Sequence, residues 1–148
     1  MKKFQFSLES VSRYKEQLVV AAQSELARVN KAVEQMTEKE RMLQERYQDN
    51  KDKLNQAVSK GISPQMIWQY NRYGESLDKE MALILRKKQV LLNEKNRSLE
   101  KLKRINMEAM ALEKLKEKEF EIYRKAAEKA DERVIEEYVA YSMTIGKS

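Results

Sequence analysis

The sequence predicts an all-α protein, two long helices folded into an antiparallel coiled-coil hairpin, the second longer than the first. Three observations carry this. Proline occurs once in 148 residues, at Pro64, within Ser59-Lys60-Gly61-Ile62-Ser63-Pro64. Charged residues make up 36% of the chain and aromatics 7%, with three glycines, a composition suited to solvent-washed helices rather than to a large globular core. Apolar residues recur at alternating steps of three and four, the signature of a coiled-coil seam.

The elements follow in order within a single hairpin spanning 1–148: a helix over 7–58, a turn at 59–63, a helix over 64–137 and a frayed tail at 138–148. In the first helix the seam reads Leu8, Val11, Lys15, Leu18, Ala22, then Leu26, Val29, Val33, Met36, Glu40, Leu43, Tyr47, Asn50, Leu54 and Ala57. The two successive steps of four from Leu18 to Leu26 read as a stutter that locally unwinds the supercoil. At the turn, Gly61 can end the helix in the left-handed conformation, Ser63 caps the next helix, and Pro64 takes its first position. Ile62 and Ile67 are spaced as a hydrophobic staple. In the second helix the seam runs Ile67, Tyr70, Gly74, Leu77, Met81, Ile84, Lys88, Leu91. It resumes at Leu99 or Leu102 and continues through Ile105, Ala109 and Leu112. The segment between, Asn93-Glu94-Lys95-Asn96-Arg97-Ser98, is polar on every face and reads as a second stutter or a thin spot in the packing. Val29, Val33, Leu43, Leu54, Leu77, Met81, Ile84 and Leu102 are expected to be the most buried residues.

The arms are unequal. At 1.5 Å per residue the first helix spans about 75 Å and the second about 110 Å. Pairing about Gly61 sets Leu8 opposite the region of Leu115. The remainder of the second helix, carrying Phe120, Tyr123, Ala126, Ala127, Ala130 and Val134, then has no partner in the chain. It either frays or serves as a docking handle.

Several classes of function are disfavoured. The chain has no cysteine and no histidine, which removes disulfides, thiol chemistry, the commonest general base and the commonest metal ligand. No glycine-rich phosphate loop occurs, and no apolar run is long enough to span a bilayer. Two helices offer no enclosed pocket, so paired carboxylates on a wet helix have little to shift their pKa values. The expectation is a non-enzyme with no catalytic, cofactor-binding or metal site and no small-molecule substrate, residing in the cytoplasm.

Charge is concentrated. From Arg86 to Arg104 there are eight basic residues against Glu94 and Glu100, an excess equal to the net charge of +6 of the whole chain. Such a belt suits an anionic partner or simply a solvated face. It lacks the interleaved aromatics of single-strand nucleic-acid binding, and a protein partner is favoured over nucleic acid. Trp68, Tyr70 and Tyr73 cluster near the turn, with Tyr47 across the seam. Trp68 and Tyr73 sit beside or outside the seam, where large aromatics suggest a partner surface. Gly74, inside a helix, marks either close approach at the seam or a soft point near the turn.

These residues support a resemblance. Phe4-x-Phe6-x-Leu8-Glu9-x-Val11, then Tyr14-Lys15-Glu16 and Ala21-Ala22-Gln23-Ser24-Glu25-Leu26-Ala27, resemble the N-terminus of the flagellar export proteins called FliJ. Lys60-Gly61-Ile62-Ser63, followed by Trp68-Gln69-Tyr70-x-x-Tyr73-x-x-x-Leu77, and the later Asp131-Glu132 are similar to that family too. The resemblance covers nearly the whole chain. It implies a non-enzymatic component of the bacterial flagellar type III export apparatus, similar to the central stalk of rotary ATPases. Such a protein inserts its terminal end into the hexameric ring of the export ATPase, promotes ring assembly and activity, contacts the membrane export gate and escorts export chaperones. It thereby serves flagellum biogenesis, motility and chemotaxis, associating peripherally with the inner face of the cell membrane. By residue type, Leu43, Tyr73 and Leu77 match the gate-binding surface, with Tyr47 and Trp68 beside it. Arg46 and Asn50 stand where the family has aromatics. The ring contact is expected from Phe4, Phe6, Leu8, Val11, Phe120, Tyr123, Ala127, Ala130 and Val134. A structural coiled-coil adaptor and a nucleic-acid-binding helical arm are the alternative readings.

Overall fold

The computed structural model describes residues 2–146. They form two helices, α1 over Glu9–Lys60 and α2 over Pro64–Gly146, with no strand among the described residues. The reversal between them follows the chemistry of its residues. Gly61 adopts φ 79°, a left-handed conformation open to glycine without strain, and its N–H closes on the Val58 carbonyl at 3.1 Å. Ser63 caps α2. Its Oγ accepts from the Met66 N–H at 3.3 Å, and its carbonyl accepts from Met66 and Ile67 at 3.1 and 3.2 Å. Pro64 follows at the first helical position, and Ile62 and Ile67 are both half-buried, as a staple requires.

The chain divides into two compact units. One is Ala22–Lys101. The other joins the residues up to Ala21 with those from Leu102 onward.

In the unit Ala22–Lys101 the helices run antiparallel. Contacts climb α1 as they descend α2: Glu25 with Lys101 at 3.6 Å, Arg28 with Glu94 at 3.2 Å, Glu40 with Lys88 at 2.8 Å, and Asn50 Nδ2 with the Tyr70 carbonyl at 3.2 Å. Val29, Leu43 and Leu77 are buried, as the spacing predicts, while Val33, Leu54, Met81 and Ile84 are half-buried. The expected break at 93–98 is absent. The buried and half-buried positions of α2 continue through Leu91, Lys95 and Ser98, keeping alternate steps of three and four. Ser98 is small enough to be buried at the seam, and Lys95 can lay its aliphatic stem along it while its ammonium stays wet.

In the unit built from both chain ends, Lys15 bonds Glu108 at 2.6 Å and Glu9 meets Lys116 at 3.2 Å. Phe6 and Ile105 are buried, and Leu102 is half-buried. Here a second expectation is corrected. Val11 is 43% exposed, whereas Ser12 is buried. The burial on α1 therefore runs Leu8, Ser12, Lys15, Val19, Ala22, in even alternation of four and three with no stutter. Hydrophobicity favoured the valine, but the helical period places its small polar neighbour inward.

The helix boundaries also differ from expectation. α1 begins at Glu9, because Ser7 and Leu8 form a turn, and it continues to Lys60, since Gly61 is the first left-handed residue. α2 continues past 137 to Gly146. No proline or glycine intervenes from Tyr138 to Ile145 to stop it. Of the expected tail, residues 147 and 148 lie outside the described residues.

Candidate partner-binding surfaces

Within Ala22–Lys101 the residues expected at one partner surface near the turn separate onto three patches. Leu43, Tyr47, Leu77 and Met81 line a groove edged by Gln44, Gln48 and Asp78. Leu43 and Leu77 are 4% and 3% exposed, so they form the groove's floor, and Tyr47 is its accessible aromatic. Tyr73 lines a different groove with Arg46, Asp49, Asn50, Lys53 and Tyr70. There Asp49 holds the Lys53 ammonium above its usual pKa, first by a hydrogen bond and then by its charge. Trp68 lies on a third patch, with the Arg72 guanidinium 5.0 Å above its ring and Asn71, Glu75 and Lys79 alongside. No single apolar hot spot forms.

Gly74 has a structural account. A Cβ placed there would sit 3.5 Å from Asn50 Nδ2, beside the hydrogen bond that Asn50 donates to the Tyr70 carbonyl. Asn50 spans the seam by this polar contact.

At the chain ends the structure brings three of the expected ring residues, Phe4, Phe120 and Tyr123, onto one another. The segment before α1 is non-helical and lies against α2. The Phe4 ring packs edge-on against Phe120 at 5.2 Å and tilted against Tyr123 at 5.5 Å. Tyr123 Oη donates to the Lys2 carbonyl at 2.7 Å. Phe6 is 7% exposed and belongs to the core of this unit. Leu8 is half-buried, and Val11 is exposed apart from the cluster. The overhang is thus shorter than helix counting gave. Helix pairing alone stopped near Leu8, whereas residues 2–7, although not helical, continue the antiparallel course along α2 as far as Tyr123. Ala127 and Ala130 are half-buried. Every residue of 131–146 is exposed, with Val134, Ile135, Tyr138, Val139, Tyr141 and Met143 presenting apolar surface.

Electrostatics add local ties. Glu108 is held below the ordinary carboxylate range, chiefly by its hydrogen bond from Lys15 and then by that residue's charge. Glu121 is lowered by its hydrogen bond from Arg124, and Glu38 by that from Arg41. Among the described residues no cluster of three carboxylates could hold a metal, and no helix is long and apolar enough to cross a membrane.

A family model described as "Flagellar FliJ protein" matches residues 4–144. The chain belongs to the FliJ family. No curated protein and no solved structure matches it. Membership makes the chain a flagellar export protein of a non-catalytic family. The match includes both the Phe4 to Tyr123 cluster and most of the exposed helix beyond it, so neither lies outside the family's own length.

Proposed function

We propose that this FliJ chain is a stalk-like activator of the flagellar export ATPase, its chain-end unit entering the ring's central hole and the unit near the turn facing the membrane export gate. The carrying observation is the helix 131–146, exposed throughout yet keeping Val134, Tyr138 and Tyr141 along one side. Apolar side chains held on a solvent-exposed helix favour a macromolecular partner. Its neighbours Asp131, Glu132, Glu136 and Glu137 supply polar contacts at each register of a ring that repeats one surface. Contacts of that kind are modest and distributed, so a rod can occupy several orientations without being trapped in one.

The Phe4, Phe120 and Tyr123 cluster acts as a collar that joins the chain's start to α2 at the base of this helix. Phe6 lies in the core of the same unit, Ala127 and Ala130 border the inserted end, and Leu8 and Val11 lie further from it along the unit. At the other unit, Tyr47 over Leu43 and Leu77 forms the gate contact, with Tyr73 and Trp68 on adjoining surfaces. Chaperone escort and peripheral residence at the inner membrane face follow from that placement.

The test is ATP turnover by the purified ATPase with the full chain or with a chain ending at Ala130. Truncation after Leu115 would be uninformative, because it removes Lys116, Phe120 and Tyr123 and so dismantles the collar. The chain ending at Ala130 should keep its fold and lose stimulation. Equal stimulation would place the ring contact elsewhere.

A further inference from the structure

The turn end of the unit Ala22–Lys101 differs from the rest of the chain in charge. From Lys53 to Gly74 there is no acidic residue, although 24 occur in the 148 residues, and no other stretch of the sequence is free of them for as long. The charges that remain there, Lys53, Lys60 and Arg72, are all positive. Acids return directly behind them, at Asp49 and Asp52 on α1 and Glu75 on α2. Lys53 meets Asp49 at 3.1 Å in an exposed pair, and no acid lies between Lys60 and the turn.

The second observation is independent of charge. Val58, Met66 and Trp68 are 52%, 45% and 57% exposed, all within about two helical turns of Gly61. They do not share a face. Met66 lines the groove of Tyr70 and Tyr73, whereas Trp68 borders the separate patch of Asn71 and Arg72. Val58 projects from α1, one residue past the half-buried Ala57, and Ile62 lies in the turn itself. A helix docking against one flank would cover only part of this set. A flat surface met end-on reaches all of it.

We propose that the turn end of the hairpin dips into the headgroup region of an anionic lipid bilayer. The residues are layered for it. At 1.5 Å per residue, the exposed apolar side chains occupy about the last 6 Å of each helix, and Lys53 and Arg72 follow about 10–12 Å from the end. That order suits insertion to about 5–10 Å, with apolar groups at the acyl boundary and long cations reaching the phosphates. Tryptophan favours this depth, where its ring is apolar and its N–H stays wet. The Arg72 guanidinium, 5.0 Å above the Trp68 ring, holds both groups at one level. Charge selects the occupant. A sheet of phosphates attracts an end that carries cations alone and repels the acids that begin behind it, which limits depth. Three cations and a small apolar cap make the binding weak and reversible. The proposal goes beyond the stalk reading and does not rest on it, since it requires no export protein.

The chain's single tryptophan is the reporter. The full chain is titrated with vesicles of phosphatidylethanolamine containing about one-third phosphatidylglycerol, and separately with phosphatidylcholine vesicles. The anionic vesicles should shift Trp68 emission to the blue, and brominated acyl chains in them should quench it; phosphatidylcholine should do neither. Raising salt from about 0.05 to 0.5 M should weaken binding at least about tenfold. Lys60→Glu with Met66→Glu changes only exposed positions and should weaken binding at least about tenfold, with an unchanged circular dichroism spectrum. Should that variant disturb the turn, quenching and salt dependence in the unaltered chain decide. Lys87→Glu with Arg97→Glu lies about 35 Å or more along α2 from Pro64, beyond the screening length, and should change binding less than about twofold. An unshifted spectrum with anionic vesicles, equal quenching in phosphatidylcholine, or loss of binding through the Lys87 and Arg97 pair would overturn the proposal. The unshifted spectrum would leave this end to a protein partner.

Discussion

Phe4→Ala should release the N-terminal segment without unfolding the helices. Phe4 is half-buried and makes two ring contacts, at 5.2 Å with Phe120 and 5.5 Å with Tyr123. A fully buried Phe→Ala change costs about 3–5 kcal/mol, so half burial gives about 2 kcal/mol. The ring pairs give a similar figure, at about 0.5–1.5 kcal/mol each. The Tyr123 hydrogen bond to the Lys2 carbonyl adds about 1 kcal/mol to the clasp and cannot alone replace the ring contacts. A loss of about 2 kcal/mol shifts the closed-to-open ratio roughly thirtyfold. Backbone ¹⁵N relaxation is the assay. Order parameters for residues 2–7 should fall, while far-UV circular dichroism stays constant because this segment is not helical. Unchanged order at those amides would refute the reasoning, as would loss of helix along α2.

Gly74→Ala should stabilise the protein, by about 1 kcal/mol from helix propensity, because the added Cβ meets Asn50 at an ordinary 3.5 Å; a lower melting temperature would mean that the bond from Asn50 to Tyr70 had been disturbed. Glu40→Gln should cost about 1–2 kcal/mol by leaving the Lys88 ammonium at the seam unpaired, and a charge-reversed pair, Glu40→Lys with Lys88→Glu, should recover most of it, both read by chemical denaturation. Stability should hold steady from neutral pH to about 5 and fall as pH drops through the carboxylate range. The sign follows because Glu38, Glu108 and Glu121 are held low by hydrogen bonds from Arg41, Lys15 and Arg124, so their contributions exist above the unfolded pKa and vanish on protonation; thermal melts across pH 3–7, a range set by ordinary carboxylate values of about 4, check it. Tyr73→Ala should leave the melting temperature nearly unchanged, since the side chain is 48% exposed, while weakening capture of the purified export-gate protein.

The reversal was legible because its residues act locally. A left-handed glycine, a serine cap and a proline at the first helical position need no tertiary information. Val29, Leu43 and Leu77 were legible because apolar side chains at regular spacing mark a seam. Ser12 and Ser98 were not, because a small polar residue gives no hydrophobic signal even where the period calls for one. The collar was missed for a different reason. Phe4 and Phe6 signalled contact, but Phe4's partners were on an intramolecular helix face met by a non-helical segment, which no helical period reports. Tyr47 and Tyr73 fell into separate grooves because Tyr47, although at a seam position, opens toward Gln44, Gln48 and Asp78, while Tyr73 flanks the seam on the side of Arg46, Asp49 and Lys53.

The most direct test of the stalk reading is site-specific cross-linking from Tyr138→Cys, an exposed position in a chain with no other cysteine. The protein, carrying a short thiol-reactive photoprobe there, is mixed with the ATP-bound export ATPase ring, and the adducts are mapped by mass spectrometry. The account predicts adducts on residues lining the central hole, and none from the same probe at Lys87→Cys. Adducts confined to the ring's outer surface, or equal labelling from both positions, would contradict it.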